Sequence, residues 1–260
     1  MELKLKHIQM KKIKLFCFPY AGGSARIYNE WKPYLHQSIE LRPIELAGRG
    51  SRFGEPLYDS LEAAVDNLLE IIEEEILYNN YALFGHSMGA LLSFELARKI
   101  QNLELPRPTH LFFSGKSSPD IKEDTDKTFH MMEDDEFKEE IMELGGTPPD
   151  FFTHPELLDL FFPLLRNDFK LAESNIVAHN NEPFDCDITV LLGKEDDVTS
   201  RQADGWKNHS KKNVTLHYYN GGHFFIHDEK EGIIRVVNKT LEDIMKENLR
   251  KLYTKGNGLR

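Results

Sequence analysis

Ser87 stands between two glycines in G-H-S-M-G (85–89). The residues before it, Y-A-L-F (81–84), are an apolar run of strand length, and those after it, A-L-L-S-F-E-L-A-R-K (90–99), have helical spacing. A serine hydroxyl is a weak nucleophile on its own. It becomes an effective one when a base takes its proton and a third group orients that base. G-x-S-x-G at a strand-to-helix junction suits this chemistry for a steric reason. The serine is held on a sharp, strained turn, and the positions two before and two after it must be nearly free of side chain for strand and helix to pack. Partners follow in the order Ser, Asp, His. K-E-D-D (194–197), after the apolar run I-T-V-L-L-G, puts Asp196 and Asp197 in one loop, and spacing alone does not separate them. G-G-H-F-F (221–225), after V-T-L-H-Y-Y-N, puts His223 just beyond a glycine turn. Among the 11 histidines, His217 lies inside a strand-like run and His227 at or near a helix start, so His223 fits the role of base best.

Acyl transfer at a serine also needs two backbone N–H groups aimed at the developing oxyanion. Met88, the residue after the nucleophile, supplies one. F-P-Y-A-G-G-S-A (18–25), the glycine-rich loop after the first strand, supplies the other, assigned to Ala21 with Tyr20 as the neighbouring possibility. His223 and His227 have i, i+4 spacing, but a metal pair needs one continuous helix, and Gly221-Gly222 favours a loop with no third ligand in view. Neither G-x-x-x-x-G-K-[ST] nor G-x-G-x-x-G occurs at a strand-helix junction, so no nucleotide site is expected. No metal and no cofactor-binding residue is assigned.

The elements that must position these groups alternate. Strand-like runs at 13–18, 39–46, 81–85, 109–115, 187–193 and 213–220 are interleaved with helical patterns, which implies a parallel sheet covered on both faces. Pro43 marks its strand as irregular or as an edge. The clearest helix is S-L-E-A-A-V-D-N-L-L-E-I-I-E-E-E-I-L (60–77). Ser60 is its N-cap, and Leu61, Ala64, Val65, Leu68, Leu69, Ile72 and Ile76 fall on one face. Further helices are expected near 201–209 and from about 229 to 248. Between about 116 and 184 no strand is convincing. D-E-F-K-E-E-I-M-E-L-G-G reads as a helix ended by glycine, and P-E-L-L-D-L-F-F-P-L-L-R-N-D-F-K-L-A as one or two more.

The chain has 260 residues, 40% hydrophobic and 29% charged, with a formal net charge of −11. That balance argues against nucleic acid and anionic membrane as partners. No apolar run is long enough to span a bilayer, and the N-terminus M-E-L-K-L-K-H-I-Q-M-K-K lacks an apolar core of the secretory kind. Cys17 and Cys186 alone fit a reducing, cytoplasmic setting, with Cys17 a buried small hydrophobe.

F-C-F-P-Y-A-G-G-S-A, P-I-E-L-A-G-R-G-S-R-F-G-E-P, F-G-H-S-M-G-A-L-L-S-F-E-L-A, L-G-G-T-P, L-L-R-N-D-F, G-K-E-D-D, G-W and G-G-H-F-F occur in the order seen in type II thioesterases. The sequence resembles these stand-alone editing hydrolases of nonribosomal peptide and polyketide synthesis over residues 13 to 245. The resemblance implies an α/β-hydrolase fold, with a core formed by 1–115 and 185–260 and a helical lid inserted over 116–184. It implies a Ser87, Asp196, His223 triad, and so separates Asp196 from Asp197. It also implies a substrate acylated on the 4'-phosphopantetheine thiol of a carrier protein, no cofactor of the enzyme's own, and a monomer. A general carboxylesterase or lipase on the same fold is the alternative, which the heavily charged stretch 116–140 disfavours. An acidic enzyme docking acidic carriers needs a local basic or apolar patch, for which Arg49, Arg52, Lys116 and Arg166 are candidates.

Overall fold

The computed structural model describes residues 11–121, 127–146, 154–174 and 182–257. Six strands form one parallel sheet: β1 (Ile13–Phe18), β2 (Ile39–Pro43), β3 (Tyr81–His86), β4 (His110–Ser114), β5 (Asp187–Gly193) and β6 (Val214–Tyr219), in the order β2-β1-β3-β4-β5-β6. All six lie where the apolar runs place them. β2 is an edge strand, so Pro43 at its end costs no interior ladder bond.

Both faces of the four inner strands are buried, and the strand period of two divides the core. Ile13, Leu15 and Cys17 of β1, Ala82 and Phe84 of β3, and Phe112 of β4 join one cluster. Phe16 and Phe18, Tyr81 and Leu83, Leu111 and Phe113 join the other. The second cluster is covered by α1 (Leu61–Tyr78), α2 (Met88–Asn102) and α5 (Ser200–Gly205). The first is covered by a 3-10 segment, Ala25–Trp31, and by α7 (Lys230–Asn257). The pattern at 25–31 has helical spacing, but the segment winds as a 3-10 turn with Ser24 capping Arg26 N–H. Ser60 caps α1 through Ala63 N–H at 3.1 Å. Cys17 is fully buried, and burial pushes its thiol far above the ordinary range.

Between β4 and β5 lie α3 (Asp134–Leu144) and α4 (Pro155–Ala172). Gly145 ends α3 in the left-handed region at φ +80°, as the glycine stop predicts. The expected one or two helices after residue 155 are a single one, with Pro163 inside it. Thr147 and Pro148 of the L-G-G-T-P motif lie outside the described residues.

Where α1 packs on α2, Glu95 is 5% exposed, and its Oε1 has no partner among the described residues. Burial raises its carboxyl from 4.5 to about 7 against the opposing pull of Arg98. A raised value means that Glu95 folds without penalty while protonated. The stability is lost as pH climbs from its unfolded value through the folded one. Glu95→Gln removes that titration. In thermal melts at about pH 5.5 and about pH 8, the Tm difference in favour of the variant should widen at the higher pH. A constant difference would contradict the burial argument.

Candidate active site

The G-H-S-M-G turn joins β3 to α2. Ser87 has φ 53° and ψ −117°, a conformation that L-residues rarely adopt. Its N–H donates to Ser114 O at the end of β4 (2.8 Å). The glycines serve the packing expected of them. A Cβ on Gly85 would overlap the carbonyl of Gly89, and a Cβ on Gly89 would overlap the carbonyl of Phe18. Both obstacles are backbone, which no rotamer change relieves. Gly85→Ala or Gly89→Ala should therefore lower stability by at least about 1–3 kcal/mol, the usual range for overpacking. Chemical denaturation reads this directly, and an unshifted midpoint would refute it.

His223 stands in the loop after β6 and faces Ser87. Its Nε2 is 2.9 Å from Ser87 Oγ, and its Nδ1 is 3.2 Å from both carboxylate oxygens of Asp196. Asp196 is nearly buried, while Asp197 is exposed and donates its backbone N–H to Asp196 Oδ1 (2.9 Å). The two loops are tied together by Glu195 N–H to Gly221 O at 3.1 Å. They pack backbone on backbone, because a Cβ on Gly193 would come within 2.6 Å of Gly221 O. Both loops are visible in the sequence; this reason for Gly193 is visible only in the fold.

Beneath the pair lies His86, fully buried, with Nδ1 2.9 Å from Ser114 Oγ and its ring 5.4 Å from that of His223. Burial, reinforced by His223 and His227, holds His86 well below the ordinary histidine value, so the floor of the site is neutral. His227 lies in α6 (Phe225–Asp228) and meets the Tyr20 hydroxyl at 3.0 Å instead of sharing a ligand with His223. Among the described residues no group of three or more potential metal ligands occurs.

After β1 the chain turns through Tyr20-Ala21-Gly22-Gly23. Gly23 N–H donates to Tyr20 O (2.9 Å), and Gly22 takes φ +75°. Gly22 N–H donates to Asp168 (2.7 Å) and Ala25 N–H to Glu45 (3.0 Å). Met88 is the first residue of α2, where N–H groups lack intrahelical acceptors. Gly146, just past α3, lies against the ring of Phe224, the residue after His223, with Phe224 Cε1 2.6 Å from where a Cβ would be.

Of the four basic candidates, Lys116 is half-buried in the chain just after β4. Arg49 is buried against Asp168, Arg52 pairs with Glu55, and Arg166 pairs with Asp134 at 2.6 Å. Arg49 in particular is a buried group and not part of a solvated face. Among the described residues no helix is long and apolar enough to cross a membrane.

The thioesterase domain family matches residues 13–241. The gramicidin S biosynthesis protein GrsT of Aneurinibacillus migulanus is 38% identical over 241 residues, covering 90% of this chain and 91% of that protein. A protein of Brevibacillus parabrevis named linear gramicidin dehydrogenase LgrE is 37% identical, over 90% of this chain and 89% of its own. Among solved structures, ClbQ from the colibactin NRPS/PKS pathway superposes with a TM-score of 0.85 at 34% identity, over 90% of this chain and 99% of its own. The chain belongs to the thioesterase family and has the α/β-hydrolase fold.

Proposed function

We propose that the protein hydrolyses acyl thioesters carried on the 4'-phosphopantetheine thiol of carrier proteins, clearing stalled or aberrant acyl groups during nonribosomal peptide or polyketide synthesis. The observation that carries this reading is the line Ser87 Oγ, His223, Asp196, with separations of 2.9 and 3.2 Å, in a chain similar to GrsT and ClbQ over most of both lengths. His223 takes the Ser87 proton as Oγ attacks the thioester carbonyl. Met88 and Ala21 N–H groups hold the oxyanion. The C–S bond breaks, and His223 returns the proton to the pantetheine thiolate. Water, deprotonated by His223, then adds to the acyl-enzyme, and the free acid leaves with Ser87 reprotonated. Asp196 holds the imidazole and stabilises its protonated form.

Residues 116–184 act as a lid over a core of 1–115 and 185–260, a reading supported by the contact of Gly146 with Phe224 next to His223. The enzyme works as a cytoplasmic monomer, without a cofactor of its own and without nucleic acid or membrane as partner. The dehydrogenase in the name of LgrE does not carry over, because the loop after β1 reads P-Y-A-G-G-S and lacks the dinucleotide glycine spacing.

The deciding experiment loads holo carrier proteins with acetyl, longer acyl and aminoacyl groups. Release is followed by intact-protein mass spectrometry, with Ser87→Ala as the blank. Release of acyl groups by the wild type alone is the expected result. Faster cleavage of small oxygen esters than of every carrier-bound thioester would replace this reading with a general esterase.

A further inference from the structure

The lid helix reaches into the loop that carries the second oxyanion donor. Phe161, Leu165 and Asp168 have i, i+4, i+7 spacing and so share one face of α4. That face lies on the loop after β1. A Cβ on Gly22 would meet Leu165 Cδ1 at 2.7 Å and Phe161 Cζ at 3.1 Å. Asp168 is fully buried. Its Oδ2 accepts from Gly22 N–H (2.7 Å) and Arg49 Nη1 (2.6 Å), and its Oδ1 accepts from Arg49 Nη2 (2.6 Å). Arg49 Nη1 also donates to Gly23 O at 3.0 Å. One forked ion pair therefore fastens both the N–H of Gly22 and the carbonyl of Gly23, the two residues after Ala21.

We infer that Asp168, held by Arg49, is a positioning residue that fixes the Ala21 N–H for the oxyanion, so that the C-terminal half of α4 belongs to the catalytic machinery and not to a freely moving cover. This rests on Ala21 as the second donor. The physical reason is that a donor stabilises an oxyanion only when its direction is set before the charge develops. A glycine-rich turn does not hold its own direction. Gly22 and Gly23 have no side chains to pack, so the loop takes its orientation from whatever grips its backbone. A bidentate guanidinium-carboxylate pair out of water is a stiff grip, because both partners have fixed planar geometry and their charges are costly to separate there. A surface pair could not do this.

Asp168→Asn keeps the shape and weakens the fork. The probes are a short-chain p-nitrophenyl ester, an alkylthio trifluoromethyl ketone, R–S–CH2–CO–CF3, and the matching thioether in which a methylene replaces the carbonyl. The ketone adds Ser87 Oγ and leaves an oxyanion in the hole; the thioether occupies the same space with none. The expected result is a fall in kcat on the order of tenfold to hundredfold, with ketone inhibition weakened by the same factor. Thioether affinity and KM should stay within about twofold of wild type. A folded variant with kcat and ketone affinity within about threefold of wild type overturns the inference, as does a thioether affinity that falls in parallel with that of the ketone. Should Asp168→Asn not fold, Arg49→Lys, which keeps the charge but not the fork, is judged by the same criteria. These measurements are normalised to wild type on simple esters, so they stand even if carrier thioesters prove not to be the substrate.

Discussion

Ser87→Ala is expected to lose acyl release on the order of a thousandfold or more, because every covalent step of the proposed mechanism runs through Oγ. The fold should survive it. Ser87 Oγ makes its close contact with His223 Nε2 and forms no capping bond to α2, so removing it orphans a half-exposed imidazole and little else. The alanine inherits φ 53°, and with it the backbone strain of about 1–3 kcal/mol that a β-carbon causes there. Ser87→Gly separates the two effects. Glycine relieves the strain but gives back about 0.4–1 kcal/mol through a freer unfolded chain. The net sign is stabilising, so Ser87→Gly should melt above Ser87→Ala while being equally inactive. If the glycine variant melts below the alanine variant, the turn does not store strain. If Ser87→Ala keeps a tenth of wild-type release, the nucleophile is elsewhere.

What could be foreseen from the chain follows from how local each feature is. The four inner strands, β1, β3, β4 and β5, are near-continuous apolar runs, and the edge strands β2 (I-E-L-R-P) and β6 (V-T-L-H-Y-Y) keep apolar residues at alternate positions, so all six are visible without knowledge of the rest. α1 is visible because its period and its Ser60 cap agree. The order of nucleophile, acid and base is visible because each sits in a loop directly after a strand. Asp196 and Asp197 cannot be separated this way: they are neighbours, and only the loop's path turns one inward and the other out. α7 ends at Asn257, beyond the expected 248, and the signal for it is present in the sequence: Leu249, Leu252 and Tyr253 continue the helical spacing of Leu241, Ile244 and Met245. Arg49 is the sharpest case. An arginine in A-G-R-G-S-R reads as solvated, and the carboxylate that buries it lies 119 residues later. The legible signal was on the other partner. Asp168 continues the face of Phe161 and Leu165, and a charge on an apolar helical stripe needs a buried partner somewhere.

Asp196→Asn and Asp197→Asn differ by one position and should differ in activity by about four orders of magnitude. In the wild type, His223 Nδ1 donates to Asp196, which leaves Nε2 free to accept the Ser87 proton. An asparagine at 196 can present its NH2 to that ring. Nδ1 then becomes the acceptor and Nε2 carries the hydrogen, so the base faces Ser87 already protonated. The geometry is kept and the tautomer is wrong, which costs about 10^4 in kcat in serine triads of this kind. The carboxylate that would stabilise the imidazolium is lost as well. Asp197 contributes to the site through its backbone N–H, which donates to Asp196 Oδ1 and survives a side-chain change. Asp197→Asn should therefore stay within about twofold of wild type, as exposed substitutions usually do. KM should be unchanged at 196, since the Asp196 carboxylate faces His223. The pair of kcat values is the measurement, taken on one acyl-carrier thioester under steady-state conditions. Equal losses in the two variants, or a larger loss at 197, would move the orienting carboxylate to the other aspartate and with it the path of the loop after β5.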